Sequence, residues 1–320
     1  MIPDDQTIRS TANRIRDHIH RTPVLTCQTL NHLLQAEVFF KCENFQKAGA
    51  FKFRGATNGV LSLEESEVHN GVCTHSSGNH AQALSLAARN RGIPAYIVMP
   101  ETSSRVKTEA VLNYGGKITF CKPTLAAREE TLEKIRLQTG AIEIHPYNDY
   151  RTIAGQATAA LELIQDTEHL SVILAPVGGG GLLSGTALSA YYFSPATKVI
   201  AAEPAMADDA FRSFYSGQLI PSTNPTTIAD GLLTSLGSLT FPIIRQHVHQ
   251  IVTVGEESII KAMRFIWERM KIIIEPSSAV PVAALFDSAS KNDGNGFLTP
   301  GIRIGVILSG GNTDLSKLPW

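Results

Sequence analysis

Short apolar runs alternate with helix-like stretches along most of the chain. Ala36–Lys41 reads as a strand and Gly71–His75 as another. Asn79–Arg91 has helical periodicity and is stopped by Gly92 and Pro94; Ala95–Met99 is the next strand, again closed by proline. Ser103–Tyr114 reads as a helix, Gly116–Phe120 as a strand, and Leu125–Thr139 as a helix ended by Gly140. Ser171–Pro176 is an apolar strand that feeds a glycine run and then a helix; Lys198–Ala202 and Ile302–Leu308 are further strands. β-Branched strands alternating with helices predict an α/β fold, with mostly parallel sheets covered by helices on both faces. No internal repeat or low-complexity linker interrupts the pattern.

Composition narrows the function classes. The chain has 320 residues, 43% hydrophobic and 18% charged, an ordinary globular balance. At roughly 150 residues per domain, two domains are expected. A net charge of −1 gives a nucleic-acid partner no electrostatic support. Cys27, Cys42, Cys73 and Cys121 match no metal or disulfide spacing and are expected to be reduced thiols, which points to the cytoplasm. No signal peptide is visible in MIPDDQTIRS, and no membrane span is expected.

Four segments carry candidate chemistry. Val177–Gly185, VGGGGLLSG, lies between a strand and a helix, and its glycines let backbone N–H groups approach a phosphate. Its spacing satisfies neither the dinucleotide fingerprint nor the Walker pattern. Glu203 nevertheless follows the next strand where a ribose-binding acid would sit, so a nucleotide-binding oxidoreductase remains a competitor on this region alone. In Asn44–Ala56, NFQKAGAFKFRGA, Lys52 stands between Phe51 and Phe53. An apolar setting lowers a lysine pKa and suits Schiff-base chemistry, with the phenylalanines available to pack on a planar ring; a solvated surface lysine is the plain alternative. Ser76–Gln82, SSGNHAQ, is either a carboxylate-binding helix start or a simple N-cap through Ser77 or Asn79. Ile307–Asp314, ILSGGNTD, places Ser309 at the carboxyl edge of a sheet, where it either meets a ligand or makes a turn.

FKFRGA, SSGNHAQ, PVGGGGLLSG, EPSSA at Glu275–Ala279 and LSGGN occur in this order. Together they resemble the fold type II (tryptophan synthase β-like) pyridoxal-phosphate (PLP) enzymes. The likeness is greatest to serine racemases and serine/threonine dehydratases, and runs from Thr22 to Trp320. The stretch VFFKCENFQKAGAFKFRGA also resembles 3-hydroxyaspartate dehydratases. The resemblance implies two domains. Residues 65–148 form a small mobile domain, and residues 1–64 with 149–320 form the large PLP-binding one.

It further implies a role for each motif. Lys52 carries PLP, Phe51 packs beside the ring, Asn79 meets the ring hydroxyl, Gly178, Gly179, Gly180 and Gly181 hold the phosphate, and Ser309 meets the ring nitrogen. The substrate carboxylate would sit on Ser76, Ser77, Asn79 and His80; Lys52 would take the α-proton, and Ser77 would serve the opposite face, as in racemases. Arg128 matches an arginine that reaches a second carboxylate. Glu203, the Ala207 carbonyl and Asp209 match a Mg²⁺ or Ca²⁺ site, and Gln82, Lys107 and Tyr114 match contacts of an ATP effector. Tyr147 and Tyr150, in the HPYNDY segment, are expected to border the substrate pocket. A homodimer is expected.

The activity implied is dehydration of serine or threonine to a 2-oxo acid and ammonia, with serine racemisation beside it. 3-Hydroxyaspartate dehydration and β-replacement are alternatives within the family. An oxidoreductase or a non-catalytic PLP or amino-acid sensor are the alternatives outside it.

Overall fold

A computed structural model describes residues 1–290 and 297–320. The strands are β1 (Val24–Thr26), β2 (Glu37–Cys42), β3 (Val72–His75), β4 (Ala95–Pro100), β5 (Gly116–Cys121), β6 (Ile142–Glu143), β7 (Val172–Pro176), β8 (Lys198–Pro204), β9 (Gln250–Val254) and β10 (Arg303–Leu308). They form a six-stranded sheet in the order β1-β2-β10-β7-β8-β9 and a four-stranded sheet in the order β5-β4-β3-β6. Every pairing is parallel except the β1–β2 edge, where Val24 faces Lys41.

The strands expected from the pattern are present within a residue or two at each end, as are the helices over Asn79–Arg91 and Leu125–Thr139. The helix expected from Ser103 begins at Arg105 because Ser104 caps it, its side chain accepting from the Lys107 N–H. β1, β6 and β9 went unread: β1 and β6 are too short to show a period, and the alternation in β9 (QIVTV) is weak.

Strand order decides where chemistry can happen. β10, from the far end of the chain, lies between β2 and β7, so Ser309 sits beside the glycine run that follows β7. Apolar strands and helices from both ends of the sequence close two buried clusters around this sheet. A separate core, with Phe53, Val60, Leu84, Ile97 and Ile144, lies against the small sheet. Phe53 therefore faces this core, not a ligand beside Lys52; only Phe51 stays near the lysine, which corrects the sandwich expected from FKF.

Candidate active site

The Lys52–Leu61 helix begins at the lysine itself. Its start is tied to β10, since the Phe51 N–H donates to the Ser309 carbonyl at 2.9 Å and Ala50 bridges Gly310. Three residues on, Gly55 meets Gly155 of the Tyr150–Asp166 helix. A Cβ on Gly155 would stand 2.5 Å from the Gly55 Cα, so only glycine allows this crossing. Lys52 Nζ donates to the Pro146 carbonyl at 2.8 Å, 5.0 Å from the Phe51 ring centre and 6.0 Å from that of Tyr147. Burial lowers its pKa to about 8 against the opposing pull of Glu275. The shift brings the amine closer to neutrality than an ordinary lysine, as a nucleophile or base requires.

The glycine run forms the wall opposite. Gly180 caps the Gly181–Phe193 helix with φ +87°, a left-handed conformation, and no side chain caps this end. The N–H groups of Gly178, Gly179, Gly180 and Gly181 have no acceptor among the described residues. Added Cβ atoms would collide with Leu232 at Gly178 and with Tyr147 at Gly179 and Gly181. Uncommitted N–H donors at a helix start, kept bare by close packing, form an anion cradle suited to a phosphate.

The SSGN segment is open in the same way. Gly78, not Ser77 or Asn79, is the N-cap of the Asn79–Arg91 helix, and no side chain caps it. The capping alternative therefore fails, and the first N–H groups stay available for a carboxylate. The part of His80 that faces this nest is its N–H. Its imidazole is buried, with Nε2 2.7 Å from the Ile144 carbonyl, and burial pushes its pKa down to about 3.

Asn79 bridges the sheets. Its Nδ2 donates to both Glu275 oxygens at 3.0 Å, and its Oδ1 accepts from Asn312 at 2.9 Å. Glu275 is buried, which raises its pKa to about 7. Ser309 Oγ lies 3.1 Å from Ser278 Oγ, and Ser278 Oγ donates to the Gly310 carbonyl at 2.6 Å. Glu275, Ser278 and Asn312 went without roles in the sequence, although EPSSA and SGGN contained them; only tertiary contact shows what they hold.

On the small-sheet side, His75, Glu143 and His145 bring ligand-type atoms within 4.8 Å of one another. Arg128 acts on His75 from the Leu125–Thr139 helix. Lys134 and Arg136 of that helix hold Glu130 and Glu133, but Arg128 pairs with no carboxylate among the described residues, and its Nε is buried without a partner. Tyr147 lies against the glycines and near Lys52, as expected. Tyr150 does not border this site, because it packs with Ile8 and Ile153.

No hydrogen bond or ion pair joins the remaining candidates to Lys52 among the described residues. Glu203 is buried, its carboxylate accepting from the Ala210 and Phe211 N–H groups at 2.9 and 2.7 Å. These bonds tie it to the start of the Asp209–Ser216 helix. Asp209 Oδ2 accepts from the Leu236 N–H at 3.3 Å, while Oδ1 is buried and unpartnered. Burial raises Glu203 to about 8 and Asp209 to about 6. Ala207 is buried in the turn between them. Two strained carboxylates and an orphaned oxygen are what a hard cation would relieve. Lys107 donates to Asp230 Oδ2 at 2.5 Å, Tyr114 lies 5.7 Å under the Arg89 guanidinium, and Gln82 is buried.

This arrangement defines a PLP site: a lysine of lowered pKa, an anion cradle, a neutral serine and a carboxylate nest around one cleft. The profile of the pyridoxal-phosphate dependent enzymes matches residues 15–310, and the chain belongs to that family. It is 49% identical over 319 residues to a β-hydroxyaspartate dehydratase of Paracoccus denitrificans (strain Pd 1222), covering 100% of this chain and 99% of that one. The crystal structure of a serine racemase from Dictyostelium discoideum superposes with a TM-score of 0.90 at 49% identity, covering 97% of this chain and 98% of the other. A PLP-dependent aspartate racemase does so with a TM-score of 0.92 at 36% identity, covering 100% of both. Among the described residues, no helix is long and apolar enough to cross a membrane.

Proposed function

We propose that this PLP-dependent dehydratase and racemase of small β-hydroxy amino acids has 3-hydroxyaspartate as its preferred substrate. One observation carries the choice: Arg128 pairs with no carboxylate among the described residues, its Nε is buried without a partner, and it acts on His75, the residue before the Ser76–Asn79 nest. Burying a second carboxylate is unfavourable without a cationic partner, and the arginine fork can hold it with two bonds. The dehydratase of Paracoccus denitrificans and the aspartate racemase, both named for dicarboxylic substrates, support the reading.

Lys52, the glycine cradle and Ser309 would hold PLP, which would supply the electron sink when bound. A neutral serine gives the ring nitrogen no strong proton donor, which suits rapid loss of a β-hydroxyl. The N–H groups at Asn79 and His80, with Ser76 and Ser77, orient the α-carboxylate. The Lys52 amine accepts the α-proton, and its lowered pKa, about 8, leaves more of it unprotonated for this than in an ordinary lysine. The β-hydroxyl departs as water, and a second water then hydrolyses the resulting enamine, through its imine, to a 2-oxo acid and ammonia.

Serine racemisation is the second reading. Ser77 caps no helix, so its hydroxyl is free to return a proton on the face away from Lys52. Glu203, the Ala207 carbonyl and Asp209 form the proposed Mg²⁺ or Ca²⁺ site. An ATP effector would need Lys107 released from Asp230. A cytoplasmic homodimer, with residues 65–148 moving as the small domain, completes the reading.

The test is release of 2-oxo acid from serine, threonine and the 3-hydroxyaspartate isomers. Arg128→Ala should lower kcat/KM for hydroxyaspartate by roughly 2–4 kcal/mol and far less for serine. Equal losses would reduce Arg128 to a structural role, and a parent inactive on hydroxyaspartate would end the proposal.

A further inference from the structure

His145 stands where three parts of the site meet. The carbonyl of the next residue, Pro146, takes the Lys52 amine at 2.8 Å. Its ring is edge-on to His75 at 6.0 Å, and His75 directly precedes the Ser76–Asn79 nest. Arg128 also acts on His75.

The two ring nitrogens of His145 have different surroundings. Nδ1 accepts the N–H of Asn148 at 2.8 Å and of Tyr147 at 3.3 Å. A nitrogen that faces two donors carries no proton, so the single proton of the neutral imidazole is on Nε2. Nε2 makes no hydrogen bond among the described residues and, unlike Nδ1 of His80, is not sealed from solvent. The backbone thus fixes a donor that the protein itself leaves unused. The same feature argues against a metal shared with His75 and Glu143. A metal-bound imidazole normally gives its second N–H to an acceptor, whereas the second nitrogen here meets donors.

We propose that His145 is a specificity-determining residue: its Nε2–H, with Arg128, receives the distal carboxylate of a four-carbon dicarboxylic β-hydroxy amino acid. This rests on the reading of Arg128 given above. A carboxylate offers about four lone-pair sites, more than one guanidinium edge satisfies. A neutral donor completes the set without placing another cation beside Lys52. Burial, with His75 and Lys52 nearby, holds the His145 pKa at about 4, so the ring stays neutral at working pH. Asp149, Glu143 and Glu129 are the opposing charges: Arg151 holds Asp149 at 2.7 Å, burial raises the Glu143 pKa with Arg136 at 4.0 Å, and Glu129 acts on the neighbouring His75.

The test uses two substitutions in the PLP-loaded enzyme. In His145→Asn, the amide oxygen can replace Nδ1 as acceptor for the two N–H groups, but nothing reaches the Nε2 position. In His145→Gln, the amide nitrogen reaches the Nε2 position while the turn loses its acceptor. Measured are kcat/KM for hydroxyaspartate and serine, and binding of succinate, a four-carbon dicarboxylate without an amine, by calorimetry. His145→Asn should lower hydroxyaspartate kcat/KM about 10–100-fold more than serine kcat/KM, the size of a hydrogen bond to a charged group, and weaken succinate alike. His145→Gln should recover part of the succinate affinity despite a lower melting temperature. Equal losses for both substrates with unchanged succinate binding would make His145 a turn cap and overturn the proposal. A parent sensitive to Arg128→Ala but indifferent to His145→Asn would overturn it alone. A parent that neither turns over hydroxyaspartate nor binds succinate would overturn both readings.

Discussion

Two groups of buried charges in this molecule behave in opposite ways. In the first, Arg54 gives Nε and Nη2 to Glu43 at 2.7 and 2.8 Å, and Nη1 and Nη2 to Glu162 at 2.8 Å each. Lys41 adds its ammonium to Glu162 at 2.6 Å and to the Thr22 carbonyl at 2.7 Å. Two cations and two carboxylates cancel, and the fork geometry meets their lone pairs. In the second group the charges are uncompensated: Lys52 on a carbonyl, Arg128 without a carboxylate, Asp209 with an orphaned oxygen. A saturated cluster holds helices and strands in place. An unsaturated one keeps a debt that only a ligand settles.

The largest effect expected is at Lys52. Lys52→Ala should cut 2-oxo acid release by roughly 10²–10⁴-fold, the span of one lost proton-transfer group, while thermal melting of the chain changes little. Full activity in that variant would remove Lys52 from the mechanism.

Arg54, only two positions on, should do the reverse. Arg54→Met strands Glu43 and Glu162 against Lys41 alone. It should cost about 3–5 kcal/mol of unfolding free energy in urea titrations. Arg128→Met should cost almost none, since it breaks no pair. If the two arginines proved equally costly to stability, the contrast between the groups would fail.

At the Glu203–Asp209 pair, chelation should lower the melting temperature and Mg²⁺ or Ca²⁺ should restore it. A cation at 100 times its Kd adds about 2.7 kcal/mol. Asp209→Asn should blunt the response; an undiminished response would place the ion elsewhere.

A pH dependence of stability is expected from His80. Its folded pKa of about 3 lies below the ordinary 6.5, so between these values the unfolded chain binds the extra proton. Stability should therefore be full above pH about 6.5 and fall as pH drops towards 3. His80→Gln should flatten that slope in equilibrium unfolding measured across the window, and an unchanged slope would assign the acid sensitivity to other groups.

Much of this protein is legible in its sequence, for physical reasons. Periodicity and glycine or proline stops mark the strands and helices because these are local preferences. The glycine run and the lysine in FKFRGA announce themselves because bare backbone and a lysine in apolar surroundings are both costly without a use. Other features depended on tertiary structure. That β10 lies between β2 and β7, that Asn79 reaches Glu275 across the sheets, and that Phe53 turns to the core while Phe51 stays by Lys52 all involve residues distant in sequence or faces that short patterns leave open. The same holds for charge. Arg54 and Arg128 both stand on helices, and tertiary contact gave one two carboxylate partners, making it a fastening of the fold, and left the other waiting for an anion.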